Sequence, residues 1–242
     1  MKDLNSPNLP ATFFDEMIKP AGKAVIFDMD GVLIDSEPLY TEMNKELFEE
    51  LGIDMDVSEY HQFVGMSSPL MWTMIRDKYS LQPSVVELMN LEKARIHKLL
   101  SSDRISSPIG GVENLLDSLK ELGIIMSVAS SSARKNVETV LKKLDLEKYF
   151  AATVCGEDIQ NGKPAPDIFL KASELMSINP VNCVVIEDSY NGLCGAKAAG
   201  MKCIGYAGDP SSKQDLGGAD LTVKSFHKED IDTMVRFILG EV

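Results

Sequence analysis

K-A-V-I-F-D, residues 23–28, is a short apolar, β-branched run that ends on an aspartate, and D-M-D-G-V-L-I-D at 28–35 continues from that residue. A run with no polar alternation reads as a strand buried on both faces, which belongs in a parallel sheet. Two carboxylates, Asp28 and Asp30, then stand just past its C-terminal end, where open α/β sheets bind ligands. For this segment alone, a turn rich in Asp and Gly is the plain alternative.

The same design recurs downstream. IIMSVAS (124–130), TVCG (153–156), VNCVVIED (181–188), MKCIGY (201–206) and DLTV (220–223) are further strand candidates. Helical patterns lie between them: VENLLDSLKEL (112–122), ARKNVETVLKKL (133–144), PDIFLKASELM (166–176) and NGLCGAKAAG (191–200). Alternating strand and helix predicts an α/β fold with a doubly wound parallel sheet. From about Glu37 to Ser107 the rhythm breaks into helical patterns only, including PLYTEMNKELFEELG, SPLMWTMIRDKY and VVELMNLEKARIHKLL. The expected organisation is an N-terminal extension (1–22), an α/β core (23–36 and 108–242) and a smaller α-helical domain (37–107) inserted after the first strand.

Three more segments place reactive residues at strand ends. VASSS (128–132) puts Ser130 and Ser131 before a helix, whose first N–H groups can bind an anion, although serines there also serve as caps. GKPAPDIF (162–169) holds Lys163 ahead of two prolines that rigidify the approach to a helix. VVIEDS (184–189) is an apolar strand ending in Glu187 and Asp188, acids that can also cap the next helix. All four segments fall on one edge of one predicted sheet. Four carboxylates, a hydroxyl and a lysine cohere as a site if a cation offsets the negative charge. Hard oxygen ligands point to Mg²⁺, with Asp28, Asp188 and the backbone carbonyl of Asp30 as ligands.

Composition narrows the partners. The chain has 242 residues with 37 acidic and 24 basic side chains, a formal charge of −13 that opposes nucleic-acid binding. An anionic surface also repels a phosphorylated small molecule at long range, so a phosphate site needs local positive charge. The four cysteines form no CxxC pair, and no apolar stretch approaches a membrane span. The expectation is a cytoplasmic protein, monomeric or a small homo-oligomer, with no membrane or nucleic-acid partner.

In this order, the four segments resemble the motifs of the haloacid dehalogenase superfamily, in its phosphatase and β-phosphoglucomutase-like branch. The resemblance covers about Lys23 to the C-terminus and implies a Rossmann-like core, with the helical insertion as that branch's cap. It implies that Asp28 is a nucleophile forming an aspartyl-phosphate and that Asp30 is the general acid and base. It further implies that Ser130, with Ser131 beside it, and Lys163 hold the phosphoryl group, while Asp28, Asp30, Glu187 and Asp188 make the Mg²⁺ site. The retained Asp30 favours phosphate esters, since the family's dehalogenases do not use a second aspartate there.

The implied activity is a Mg²⁺-dependent phosphatase acting on small phosphorylated metabolites, including sugar phosphates. A β-phosphoglucomutase-like mutase is the alternative, and a non-catalytic binding module is a third. Tyr40 stands where the resembling mutases carry a histidine, and Ser68 where they carry an arginine that grips the far phosphate; both departures favour the phosphatase. Met66, Met71, Trp72 and Met74 crowd the insertion and fit either a pocket lining or a helical core. Tyr40, Ser68, Trp72, Lys93, Arg95 and Arg134 are the candidate substrate contacts.

Overall fold

The computed structural model describes residues 22–55, 59, 63, 68–210 and 212–241. The N-terminal stretch 1–21 and Met66 lie outside them. Six strands form one all-parallel sheet: β1 (Ala24–Phe27), β2 (Ile125–Ser130), β3 (Ala152–Cys155), β4 (Cys183–Glu187), β5 (Lys202–Tyr206) and β6 (Leu221–Val223). Their order is β3-β2-β1-β4-β5-β6. The chain therefore reverses its winding at β1, between β2 and β4, which opens a crevice at the strand C-termini.

The helices are α1 (Glu37–Glu50), α2 (Ser68–Tyr79), α3 (Val85–Ser101), α4 (Val112–Glu121), α5 (Arg134–Lys143), α6 (Asp167–Met176), α7 (Tyr190–Ala198) and α8 (Lys228–Leu239). Apolar side chains of α4, α5 and α8 pack on one face of the sheet, and those of α6 and α7 on the other. Every residue of β1 is fully buried, which explains why its sequence shows no alternation. The C-terminal α8, not singled out in the sequence, carries Ile231, Met234, Phe237 and Ile238 on its buried face.

Helices α1, α2 and α3 follow β1 and share a hydrophobic cluster of their own, built on Leu47, Phe48, Met71, Trp72, Ile75 and Leu88. Trp72 is fully buried there, edge-on to Phe48 at 5.8 Å between ring centroids, whereas Met74 is exposed. A Ser84–Glu87 capping box starts α3, satisfying N–H groups that the first turn leaves free. Among the described residues no helix is long and apolar enough to cross a membrane.

Candidate active site

The site begins where β1 stops. The Asp28 N–H donates to the Ile186 carbonyl of β4 at 3.0 Å, extending the sheet by one residue. The chain then folds back on itself. The Met29 carbonyl accepts from Leu33 and Ile34 at 2.8 and 3.1 Å, and the Gly31 N–H donates to the Ile34 carbonyl at 2.9 Å. This turn aims Asp28 and Asp30 into the same crevice from one short segment. Gly31 sits at φ +77°, and a Cβ there would lie 2.1 Å from Asp188 Oδ2, so the turn needs glycine for conformation and for space.

Lys163 is the centre of the site. Its side chain is buried, and its ammonium donates to Asp28 Oδ1 and Glu187 Oε1, both at 2.5 Å, and to the Ala129 carbonyl at 3.2 Å. Three hydrogens thus meet three acceptors from β1, β2 and β4. Burial alone would lower the lysine's pKa, but Asp28 and then Glu187 pull it well above its ordinary value.

Glu187 is not a free ligand. Its second oxygen accepts from the Ser189 N–H and hydroxyl, each at 2.9 Å. The Asp30 side chain is also occupied: Oδ1 accepts from Ser36 at 2.8 Å and Tyr40 at 2.7 Å, and Oδ2 from Ser132 at 2.8 Å. Of the four carboxylates expected to make the metal site, Asp30 and Glu187 are thus engaged by these partners. Among the described residues no three metal-ligating side chains converge.

Asp28 and Asp188 remain, and their chemistry fits a cation. Burial, offset by Lys163 and reinforced by Glu187 and Asp30, pushes the Asp28 carboxyl up to about 7. Burial, then Glu187 and Asp28, pushes Asp188 up to about 9, and unlike Asp28 and Glu187 it has no ion-pair partner among the described residues. Two carboxylates that resist ionising together, with one cation between three acids, form an oxygen-lined place short of positive charge.

The other expected residues divide. Ser130 is buried at the end of β2, and its hydroxyl accepts from the Ser132 N–H at 3.1 Å; Ser131 is exposed beside it. Tyr40 meets Asp30 in the crevice, with the hydroxyls of Ser36 and Ser132 beside its own. Ser68 and Trp72 bond to Glu92 inside the insertion, where Trp72 is fully buried. Lys93 is exposed, Arg95 pairs with Glu50, and Arg134 pairs with Asp158 and Glu138. Ser36, Ser132 and Ser189 went unread, although each lies within or just beyond a motif already quoted.

A six-stranded parallel sheet with carboxylates gathered at the winding reversal and a helical insertion after the first strand defines an α/β protein of the doubly wound class. The haloacid dehalogenase-like hydrolase family model matches residues 25–206, and the chain belongs to that family. A phosphorylated carbohydrates phosphatase of Thermotoga maritima is 34% identical over 186 residues, covering 75% of this chain and 83% of that protein. Beta-phosphoglucomutase of Bacillus subtilis is 32% identical over 217 residues, covering 86% and 95%. Among solved structures, a variant of CbbY from Rhodobacter sphaeroides in complex with xylulose-(1,5)bisphosphate superposes with a TM-score of 0.74 at 26% identity, over 85% of this chain and 95% of that one.

Proposed function

We propose that the protein is a Mg²⁺-dependent phosphatase of small sugar monophosphates that works through a phosphoryl group carried on Asp28. The observation that carries this reading is the pair of aspartates two residues apart in opposite surroundings. Asp28 lies against a buried ammonium, and Asp30 lies in a cradle of three hydroxyls.

An Asp28 oxygen forms a bond to phosphorus while the ester P–O bond breaks, and the leaving alkoxide takes a proton from Asp30. A water then attacks the same phosphorus and gives a proton back to Asp30. The bond to Asp28 breaks, releasing inorganic phosphate. Lys163 holds Asp28 in place and faces the negative charge that gathers on the phosphoryl oxygens. Ser130 and the N–H groups at the start of α5 lie at the end of the neighbouring strand, suited to the same oxygens.

Asp28, Asp188 and the backbone carbonyl of Asp30 would hold Mg²⁺, which supplies charge for a dianionic ester and orients it. The helices α1 to α3 act as the cap, shielding the crevice from water and selecting the organic part of the substrate. The names of the Thermotoga and Bacillus relatives support phosphorylated carbohydrates as the substrate class.

Rapid quenching with a ³²P-labelled sugar monophosphate tests the reading. Label should appear on the wild-type protein and be absent from Asp28→Asn, with inorganic phosphate as the product. Phosphate release without protein labelling, at full rate in Asp28→Asn, would contradict it.

A further inference from the structure

Among the described residues, two polar side chains are buried within the helical insertion, Asn44 on α1 and Glu92 on α3. Their surroundings are the apolar cluster of Leu47, Phe48, Trp72 and Leu88. A carboxylate in such a place costs free energy unless something offsets it. Glu92 Oε2 accepts from the Ser68 hydroxyl and from the Trp72 indole N–H at 2.9 Å. Among the described residues, Oε1 accepts no hydrogen bond, and no lysine or arginine pairs with Glu92. One oxygen of this acid is thus fully employed and the other is left over.

The two helices that carry Asn44 and Glu92 both reach the crevice: Tyr40 of α1 bonds Asp30, and His97 of α3 bonds Asn136 at the start of α5. Helices α1 and α3 are antiparallel: Arg104, just beyond α3, pairs with Glu42 near the start of α1, and Arg95 pairs with Glu50 at its end. Tyr40, bonded to Asp30, and Asn44 are one turn apart on one face of α1. Ile96, one turn after Glu92 on α3, packs with Tyr40 against the core cluster on the sheet. Ile96 and His97, one turn after Glu92, thus tie α3 to the core, as Tyr40 ties α1 to Asp30.

We propose that Glu92 is a specificity-determining residue: its free Oε1 accepts a hydrogen bond from a hydroxyl in the organic part of a phosphate monoester. Its negative charge turns away substrates that bring a second phosphate or a carboxylate to that end of the site. Ser68 and Trp72 hold the carboxylate by its other oxygen, which fixes the direction of the free one. The inference rests on the phosphatase reading above and narrows it to neutral, polyhydroxylated leaving groups.

Trp72 is the chain's single tryptophan, so its emission reports directly on Glu92. Asp28→Asn, which cannot turn over, is titrated in the presence of Mg²⁺ with hexose, hexitol and pentose monophosphates, with fructose 1,6-bisphosphate and with inorganic phosphate. At least one monophosphate should change the emission saturably, while the bisphosphate and inorganic phosphate should not. In parallel, Glu92→Gln should raise KM for the best monophosphate about tenfold, the loss expected for a hydrogen bond to a charged acceptor. It should leave kcat and p-nitrophenyl phosphate hydrolysis within about twofold, a phenyl group having no hydroxyl for Glu92. Emission unmoved by every monophosphate, or an unchanged ratio of monophosphate to p-nitrophenyl phosphate activity in Glu92→Gln, overturns the proposal. If the wild type hydrolyses no phosphate ester, the phosphatase reading fails by itself, and the emission titration still reports on Glu92.

Discussion

The Tyr40 hydroxyl donates to Asp30 Oδ1 at 2.7 Å, joining the first helix of the insertion to the carboxylate proposed to move the proton. Burial and then Asp30 push the phenol well above its ordinary pKa, so Tyr40 acts as a donor and not as a base. Tyr40→Phe removes one of the hydroxyl donors that orient Asp30. The rate on a sugar monophosphate, whose alkoxide needs a proton, should fall about tenfold, a fraction of the 10²–10⁴ that acid–base assistance supplies. The rate on 2,4-dinitrophenyl phosphate, whose leaving group needs none, should fall less than about threefold. Equal losses on both substrates would remove Tyr40 from proton transfer. Asp30→Asn should show the same contrast on a larger scale.

Lys163 is the only cation within salt-bridge distance of Asp28 and Glu187 among the described residues. Lys163→Ala leaves two buried acids uncompensated, a change that typically costs about 3–5 kcal/mol. The variant should melt well below the wild type, and Mg²⁺ should recover part of the difference while kcat stays down at least a hundredfold, about 2.7 kcal/mol in the transition state. A variant with wild-type stability and turnover would show that the ion pairs carry neither function.

Proton linkage gives a prediction for the metal-free protein. Both aspartates start from an ordinary value of 3.8; burial, with neighbouring acids, lifts Asp28 to about 7 and Asp188 to about 9 in the folded state. Between about pH 4 and pH 9 the folded state therefore binds more protons than the unfolded one, and stability falls as pH rises through that window. A cation held by the ionised pair reverses the penalty. Thermal melts in chelator should show a lower Tm at pH 8.5 than at pH 5.5, and MgCl₂ should raise Tm more at pH 8.5. An equal Mg²⁺ shift at both values would separate the metal from these two carboxylates.

The sheet was legible because burial on both faces leaves a strand little choice but an unbroken apolar run, as in AVIF of β1 and CVVIE of β4. The acidic strand ends were legible for the same reason, since a carboxylate after such a run stands out. Their partners were not. Which acids face Lys163 depends on how β1 and β4 lie side by side, so the ion pairs of Asp28 and Glu187 with Lys163 could not be read from the sequence. Trp72 read as core more readily than as pocket, and a helical stripe does not say what packs on it. The hydroxyls around Asp30 come from two places in the chain, Ser36 and Tyr40 at the start of α1 and Ser132 after β2, and only the fold brings Ser132 across 102 residues to Asp30.

Gly31 makes the closest approach in the site, with Asp188 lying where its Cβ would stand. Gly31→Ala must either displace Asp188 or open the turn after β1, and the backbone there is already in the left-handed region. The expected outcome is a folded protein with weakened Mg²⁺ binding, read as a higher Mg²⁺ concentration for half-maximal activity. Unchanged metal dependence would place Asp188 outside the metal site.

The destination of the phosphoryl group separates the phosphatase from the mutase that the Bacillus relative keeps in view. A phosphatase lets water reach the phosphoryl group on Asp28, whereas a mutase excludes water and holds a bisphosphate by its far end until a second hydroxyl attacks. Holding a far phosphate takes a cation, bidentate for preference. Ser68, which stands where the resembling mutases have an arginine, is bonded to the Glu92 carboxylate, so its surroundings in the insertion are acidic. Of the cations the sequence offered, Arg95 pairs with Glu50, Arg134 with Asp158, and Lys93 is exposed. Tyr40, in place of a histidine, gives Asp30 a neutral donor. Incubation with β-glucose 1-phosphate, with and without a bisphosphate activator, should therefore yield inorganic phosphate and little glucose 6-phosphate. Isomerisation that outruns phosphate release by a wide margin would make the enzyme a mutase and would require the far phosphate to find a cation despite Glu92.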